Sequence, residues 1–66
     1  MQKEGIVKFY NTKKGFGFII QTHDRHDIFV HASGLIDDIR ENDRVLYYIE
    51  SGKKGLAAVD VELIEN

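Results

Sequence analysis

Aromatic, basic and glycine residues crowd together in the segment "KKGFGFII", Lys13–Ile20. Phe16 and Phe18 are two residues apart, so on a β-strand both rings point to the same side. That side is either the protein core or a surface on which flat ring systems stack. Lysines beside exposed rings suit a ligand that has both flat bases and phosphates, because the ammonium groups contact the phosphates.

A second segment, "DIFVHA", helps to choose between these two possibilities. Alternate residues fall on two faces of a strand, Ile28, Val30 and Ala32 on one and Asp27, Phe29 and His31 on the other. Burying an unpaired aspartate costs several kcal/mol. The face with Ile28 is therefore predicted to be the core, and Phe29 is predicted to lie on the solvent face beside Asp27 and His31.

Pairing of the two segments as a hairpin would place their solvent faces side by side. The two phenylalanines of the first segment then join Phe29 and His31 outside the core, and an ordinary core position for them is the open alternative. The preceding segment supplies Lys8 to the same face, with Phe9 or Tyr10 beside it. Strict alternation cannot expose both Lys8 and Phe9, so exposing both requires a β-bulge or a strong local twist. An exposed cluster of rings among lysines indicates an interaction surface that suits unpaired nucleic-acid bases.

Short strands separated by turn signals account for most of the chain. The predicted strands are about Lys3–Asn11, Gly15–Thr22, Asp27–His31, Asp43–Glu50 and Leu56–Ile64. In the last of them, Val59, Val61 and Leu63 alternate with Asp60 and Glu62, which predicts one dry face and one wet face. Five short strands without a covering helix bury a core most simply by closing into a small barrel.

Glycines and an acidic segment complete this prediction. Gly15 and Gly17 lack side chains and would let the second strand bend sharply in such a barrel. The acidic segment "DDIRENDR", Asp37–Arg44, is predicted to be a solvated turn. The sequence thus predicts an all-β fold.

Length and composition limit the class of protein. The chain has 66 residues and no cysteine, which predicts one domain over residues 1–66 without disulfides or thiolate metal sites. No apolar run approaches the roughly 18 residues of a membrane span, and the first residues resemble no signal peptide. A soluble, cytoplasmic protein that contacts no membrane is expected.

Charge is distributed unevenly along the chain. The net charge is −2, but residues 1–22 hold four lysines and one glutamate, a net charge of +3. Residues 23–66 hold five basic and ten acidic residues, a net charge of −5. The basic residues thus lie with the phenylalanines, where a local patch attracts phosphate even on an acidic protein.

Other chemistry finds less support in the sequence. A zinc or copper site could be formed by His23, His26 and His31 with Asp24 and Asp27. A solvated turn is favoured, because no fourth convergent ligand is evident and β-strand alternation turns His31 toward the rings. No nucleophile accompanies these histidines, and "SGKKG" lacks the phosphate-loop pattern. We therefore expect no enzyme activity, no metal and no cofactor.

Three segments together carry a family resemblance. "KGFGFI", Lys14–Ile19, resembles the first ribonucleoprotein motif, and "DIFVHAS", Asp27–Ser33, resembles the second. Following "GIVKFYN", Gly5–Asn11, they resemble a cold shock domain of the bacterial type. RNA-recognition-motif proteins have the two motifs in the opposite order and need two helices, for which this chain has no room. The resemblance implies a five-stranded antiparallel OB-type barrel that binds single-stranded RNA and DNA on its first three strands.

By matching position, the resemblance also implies the binding residues. The implied stacking residues are Phe9, Phe16, Phe18, Phe29 and His31. Lys8 and Lys14 match basic contacts, and Asn11 matches a polar contact. The implied role is that of a monomeric, passive RNA chaperone, with transcription antitermination or cold adaptation as further roles of the family.

The sequence departs from the family pattern at four places. Phe9 replaces the usual Trp, Ala32 replaces the usual Phe after the His, and Leu56 replaces the usual Pro. The segment between His31 and Val45 is about four residues shorter than usual. We therefore expect this protein to contact fewer bases, or to bind nucleic acid more weakly, than a full-length member of the family, unless Tyr48 or Leu35 compensates.

Two other classes of function are compatible with parts of the sequence. The first is an SH3-like barrel that uses the same aromatic face for a proline-rich or apolar peptide. Lys8, Lys13 and Lys14 favour phosphate over such a peptide. The second is a small hydrolase or nuclease, which lacks a carboxylate or histidine constellation on the expected binding face.

Overall fold

The chain forms the five strands expected from its sequence. The computed structural model describes residues 2–52 and 55–64. The strands are β1 (Lys3–Asn11), β2 (Phe16–Gln21), β3 (Asp27–His31), β4 (Arg44–Gly52) and β5 (Gly55–Leu63). A short 3-10 helix at Ala32–Gly34 follows β3. Among the described residues, no helix has the length and apolarity needed to cross a membrane.

The strands close into a barrel in the order β1-β2-β3-β5-β4. The all-β barrel prediction is confirmed, but the expectation that every pair is antiparallel is wrong. β3 and β5 run parallel, with Phe29 beside Ala57 and Val30 beside Ala58. The reason is geometric, because strands cannot alternate in direction all the way around a ring of five. The parallel pair sits where the chain crosses from β3 to β4 before returning as β5.

Alternation within the strands supplies most of the core. The buried apolar side chains are Val7, Ile19, Ile28, Val30, Ile39, Val45, Tyr47, Ala58 and Val61. Ile39 comes from the acidic segment that was predicted to be a solvated turn, and that prediction is wrong at this residue. Its neighbours Asp38 and Arg40 are exposed while Ile39 is buried with the core cluster. An isoleucine in an otherwise polar loop thus adds to the core.

A β-bulge in β5 changes which residues of that strand are buried. Leu46 pairs with Glu62 and Tyr48 with Val59, so one residue of β4 faces two of β5. Asp60, within the bulge, has φ of 52°. The extra residue shifts the alternation, and Ala58 and Val61 are fully buried while Val59 is half-buried. The prediction that Val59 belongs to the dry face is therefore wrong.

Tyr47 is the largest buried side chain and carries a polar group into the core. Its hydroxyl group donates a hydrogen bond to Oε1 of Gln21 at 3.3 Å. Gln21 is itself buried, so each polar group satisfies the other. Burial, together with the negative charge of Asp24, raises the pKa of Tyr47 to about 12.

The two glycines beside the phenylalanines have different structural roles. Gly15 lies in the turn before β2 with φ of 74°, a conformation that glycine adopts readily. Gly17 pairs with Tyr10 in the β1–β2 hairpin. A Cβ at Gly17 would lie 2.3 Å from the backbone oxygen of Phe9 and 2.8 Å from Cα of Tyr10. The absence of a side chain therefore lets β1 and β2 approach closely.

We expect Gly17→Ala to destabilise the barrel strongly, by about 2 kcal/mol or more, because the clash is with backbone that cannot move aside. Urea unfolding followed by far-ultraviolet circular dichroism would measure the loss. Gly52→Ala is the matched control, since its Cβ would meet only the backbone oxygen of Gly55 at 3.5 Å. Equal stability of the two variants would show that β1 and β2 tolerate a wider separation.

We expect Tyr47→Phe to lose about 1–3 kcal/mol of stability at neutral pH, because Gln21 loses its buried partner. The unfolded phenol ionises near pH 10, whereas the folded one holds its proton to about pH 12. Tyr47 therefore contributes stability below pH 10 that is lost as the pH rises to about 12. Urea midpoints of wild type and Tyr47→Phe across that range should converge, and parallel curves would contradict the assignment.

Candidate nucleic-acid interface

Cross-strand register assembles the sequence-predicted residues into two rows on the outer face of β1, β2 and β3. Phe18 pairs with Phe9 on one side and Phe29 on the other. In the next row, Phe16 pairs with Asn11 and His31. Directly paired residues of antiparallel strands point to the same side of the sheet. Six of the eight predicted residues therefore share one surface.

A β-bulge at Lys8 places both Lys8 and Phe9 on this outer face. Val7 pairs with Ile19 and Phe9 with Phe18, so Lys8 is an extra residue in β1. Val7 is fully buried, while Lys8 and Phe9 are both exposed. This is the irregularity that exposing both side chains requires. The sequence left Phe9 and Tyr10 as alternatives, and the structure turns Phe9 outward and packs Tyr10 against the core cluster.

The four phenylalanine rings contact one another in a continuous cluster, which we call the aromatic face. Ring centroids are 5.7 Å apart for Phe9 and Phe18 and 5.9 Å for Phe18 and Phe29. Phe16 lies 6.1 Å from both Phe9 and Phe29, nearly parallel to the latter at 23°. Such pairs stabilise by about 0.5–1.5 kcal/mol each. The rings therefore hold one another in place.

Burial confirms that the rings of the aromatic face point away from the core. None of the four belongs to the buried core cluster. Phe9 is 39% exposed, and the other three are half-buried because neighbouring rings cover part of each. The opposite side of β2 carries Ile19, which is fully buried. A contiguous apolar surface of this kind on a small protein indicates a binding site.

Lys8 flanks the aromatic face and forms an ion pair there. Its Nζ lies 3.0 Å from Oδ2 of Asp27, and both side chains are substantially exposed to solvent. Exposed ion pairs contribute little stability, roughly 0–1 kcal/mol. A phosphate can therefore take the place of Asp27 at little cost. Sequence reasoning placed Asp27 on the solvent face but did not predict that it would pair with Lys8.

Asn11 and Lys14 meet in the turn between β1 and β2. The backbone N–H of Lys14 donates to Oδ1 of Asn11 at 3.0 Å, and the N–H of Gly15 donates to the Asn11 carbonyl at 2.8 Å. Asn11 thus shapes the turn in addition to lying in the row of Phe16. Lys14 is exposed and lies at the edge of this row.

His31 is held by a residue that sequence reasoning did not assign to the site. Nδ1 of His31 accepts a hydrogen bond from the backbone N–H of Ser33 at 3.1 Å, and the Ser33 hydroxyl lies 2.9 Å away. This contact caps the 3-10 helix that follows β3. Because Nδ1 is the acceptor, the neutral ring carries its proton on Nε2. No standard capping signal marks this contact in the sequence, because histidine is not among the side chains that usually cap helices.

A protein-family model described as the "'Cold-shock' DNA-binding domain" matches residues 3–64. That range includes both rows and every strand of the barrel. The chain belongs to the cold-shock domain family. This family comprises nucleic-acid-binding domains, and the resemblance seen in the sequence is thereby confirmed.

Bacterial cold shock proteins are similar to this cold-shock domain over most of their length. Cold shock-like protein CspB of Escherichia coli K12 is 44% identical over 61 residues, covering 86% of each chain. The major cold shock protein of Micrococcus luteus is 41% identical over 61 residues, covering 86% of this chain and 91% of that protein.

A solved structure supports the fold alone. The structure named "drosophila Unr CSD456" superposes with a TM-score of 0.82 at 20% identity. The superposition covers 98% of this chain and 27% of the other.

Two of the departures from the cold-shock pattern, Ala32 and the shorter segment after His31, lie together at one end of the aromatic face. Ala32 was predicted to lie on the core side, but it is exposed because β3 ends at His31 and the 3-10 helix begins. Leu35 is half-buried against the core and bridges to Val61, so it is not free to act as a stacking residue. Tyr48 is 40% exposed but pairs with Val59 on β5, away from the aromatic face. Neither residue replaces the ring missing at Ala32.

The polar connection between β2 and β3 forms a hydrogen-bonded turn. The N–H of His26 donates to Oδ1 of Asp24 at 2.9 Å, and His23 Nε2 lies 3.3 Å from Oδ2 of the same carboxylate. The backbone hydrogen bond from His26, aided by both imidazoles, lowers the pKa of Asp24. Within residues 2–52 and 55–64, no group of three or more His, Cys, Asp or Glu side chains is placed to hold a metal ion.

We expect Phe18→Ala to weaken oligonucleotide binding by about tenfold or more while the barrel stays folded, because stacking contributes about 1–3 kcal/mol per base. Fluorescence anisotropy with a labelled oligothymidine would measure affinity, and urea unfolding would measure stability. Val30→Ala is the matched control, since Val30 is fully buried on the neighbouring strand. If Phe18→Ala unfolds the barrel as readily as Val30→Ala does, Phe18 serves the core.

Proposed function

We propose that residues 1–66 form a single cold-shock-like domain that binds single-stranded RNA and DNA through the aromatic face. The observation that carries this proposal is the continuous contact among Phe9, Phe16, Phe18 and Phe29 on the outside of the barrel. Unpaired bases stack on such rings with little regard to sequence. His31, in the row of Phe16, provides a further ring at the edge of the same surface.

Lysines supply the second part of the proposed interaction. Lys8 and Lys14 lie at opposite ends of the aromatic face, one in the bulge of β1 and the other in the turn before β2. Phosphates of a bound strand would exchange with the Asp27 carboxylate at Lys8. Asn11, which uses its side-chain oxygen within the turn, has its amide N–H groups left for the ligand.

Binding of this kind opens structured RNA by mass action. A protein that binds unpaired bases and not the duplex shifts the equilibrium toward open forms by RT ln(1 + [protein]/Kd). No nucleotide hydrolysis or other catalytic step is required. We propose the role of a passive RNA chaperone, acting as a monomer in the cytoplasm, with transcription antitermination or cold adaptation as its cellular use.

A salt titration of oligothymidine binding tests this function. We expect saturable binding at low salt, with the logarithm of the association constant falling by about 0.7 for each phosphate contacted per unit of log salt. Contacts by Lys8 and Lys14 then predict a slope of about −1.4. Lys8→Gln should reduce the slope by about 0.7, whereas Lys3→Gln, a control on the far end of β1, should leave it unchanged.

The other outcomes separate the rival functions. Absence of saturable binding at low salt would overturn the proposal. Binding of a proline-rich peptide by the same rings, without oligonucleotide binding, would support the SH3-like alternative. Cleavage of the oligonucleotide during the titration would support a nuclease. A quenched RNA hairpin that opens in proportion to added protein, without ATP, would support the passive chaperone role.

A further inference from the structure

An aliphatic pair, one side chain exposed and the other half-buried, continues the outer face of β1 and β2 beyond the phenylalanines. Ile6 pairs with Ile20 in the β1–β2 hairpin, and Ile6 is 42% exposed. These two residues, which we call the aliphatic shelf, line a groove of about 340 Å³ with Gln21, Thr22 and Arg25. We propose that the aliphatic shelf and Arg25 form a further nucleotide subsite. This inference rests on the proposed binding of single-stranded nucleic acid.

The aliphatic shelf is continuous with the aromatic face. Ile20 is two residues after Phe18 on β2 and points to the same side, about 7 Å further along the strand. On β1, the bulge at Lys8 shifts the alternation, so that Ile6 and Phe9 both point outward although they are three residues apart. A single-stranded nucleic acid that lies across the rows of Phe16 and Phe18 therefore reaches the aliphatic shelf at the next row.

Charge favours a nucleotide as the occupant of this groove. Arg25 is the only charged residue among those that line it, and no carboxylate is among them. Within the described part of the chain, Arg25 makes no ion pair. In the free protein, Glu4 is paired with Arg44, Asp24 accepts the backbone N–H of His26, and Asp27 is paired with Lys8, from which a phosphate would displace it. An apolar floor beside one available guanidinium fits a base and its phosphate.

The groove at the opposite end of the aromatic face is less suited to a phosphate. It is larger, about 570 Å³, and lies beyond Ala32. Its lining includes Asp37 and Asp38 against a single cation, Arg40. The two carboxylates disfavour a phosphodiester backbone at that end. The bound oligonucleotide therefore extends from the phenylalanines toward the aliphatic shelf, away from Ala32, where the family's usual ring is missing.

Oligothymidines of increasing length, from about three to about nine nucleotides, test this subsite. We expect wild-type affinity to rise once the oligonucleotide is long enough to pass the phenylalanine rows. Ile6→Thr/Ile20→Thr should reduce affinity for the long oligonucleotides by about five- to tenfold and leave the short ones unchanged. Threonine keeps the β-branched shape that strands favour. A urea midpoint, and the single variant Ile6→Thr at the more exposed position, guard against loss of folding.

Arg25→Asn provides a second readout. Arg25 has φ of 64°, and asparagine tolerates this conformation. We expect the salt slope to decrease by about 0.7 for the long oligonucleotides and to be unchanged for the short ones. An equal change for both lengths would place Arg25 outside any additional subsite.

Ile36→Thr is the matched control for the aliphatic shelf. Ile36 is 61% exposed and lines the opposite groove. Loss of long-oligonucleotide affinity in Ile36→Thr, and not in the Ile6→Thr/Ile20→Thr variant, would overturn the inference. So would a change in oligomeric state of the double variant without a change in binding, because the aliphatic shelf would then be a protein contact. Short oligonucleotides that still require Phe18 would leave the proposed function intact, so the two failures are distinguishable.

Discussion

The β-bulge at Lys8 is the constraint on which the binding surface depends. Without it, strict alternation after the buried Val7 would turn Phe9 into the barrel, and its contacts with Phe16 and Phe18 would be lost. The extra residue keeps the lysine outside and reverses the alternation for the rest of β1. Tyr10 then points inward, over the backbone of Gly17, where any Cβ would clash. One irregularity of the backbone therefore sets the aromatic face, its basic flank and the close approach of β1 and β2.

Core and binding surface are divided between the two sides of the same strands. Along β2 the buried Ile19 lies between the outward Phe18 and Ile20, so substitutions on one side leave the other largely intact. The outward rings lose part of the stability that burial would give them, and contacts among the rings offset some of that loss. Because those contacts fix the rings before a ligand arrives, less conformational freedom remains to be lost on binding.

Sequence reasoning predicted the elements whose signals are local. Asp27 in β3 indicated which side of that strand is wet, and the phenylalanines of β2 followed through hairpin pairing. Sequence reasoning missed the residues whose burial depends on contacts with distant parts of the chain. Val59 looked like core until the bulge at Asp60 shifted the alternation, and Ile39 looked solvated because no local pattern reveals that the barrel interior needs it. The parallel pairing of β3 and β5 follows from closing five strands into a ring, which no single segment records. The structure shows where the predicted site residues lie, but their ligand contacts stay predictions for all eight: Lys8, Phe9, Asn11, Lys14, Phe16, Phe18, Phe29 and His31.

That parallel pair also governs the order in which the chain can fold. The proposed binding surface lies within β1, β2 and β3, which are consecutive and pair as hairpins with short loops. Closure instead joins β1 to β4 and β3 to β5, across long stretches of sequence. We expect such contacts to form late, because the entropy of closing a long loop opposes them until the remaining strands are in place. The three strands that present the rings can thus pair early, but they acquire their final curvature only when the last strand closes the ring.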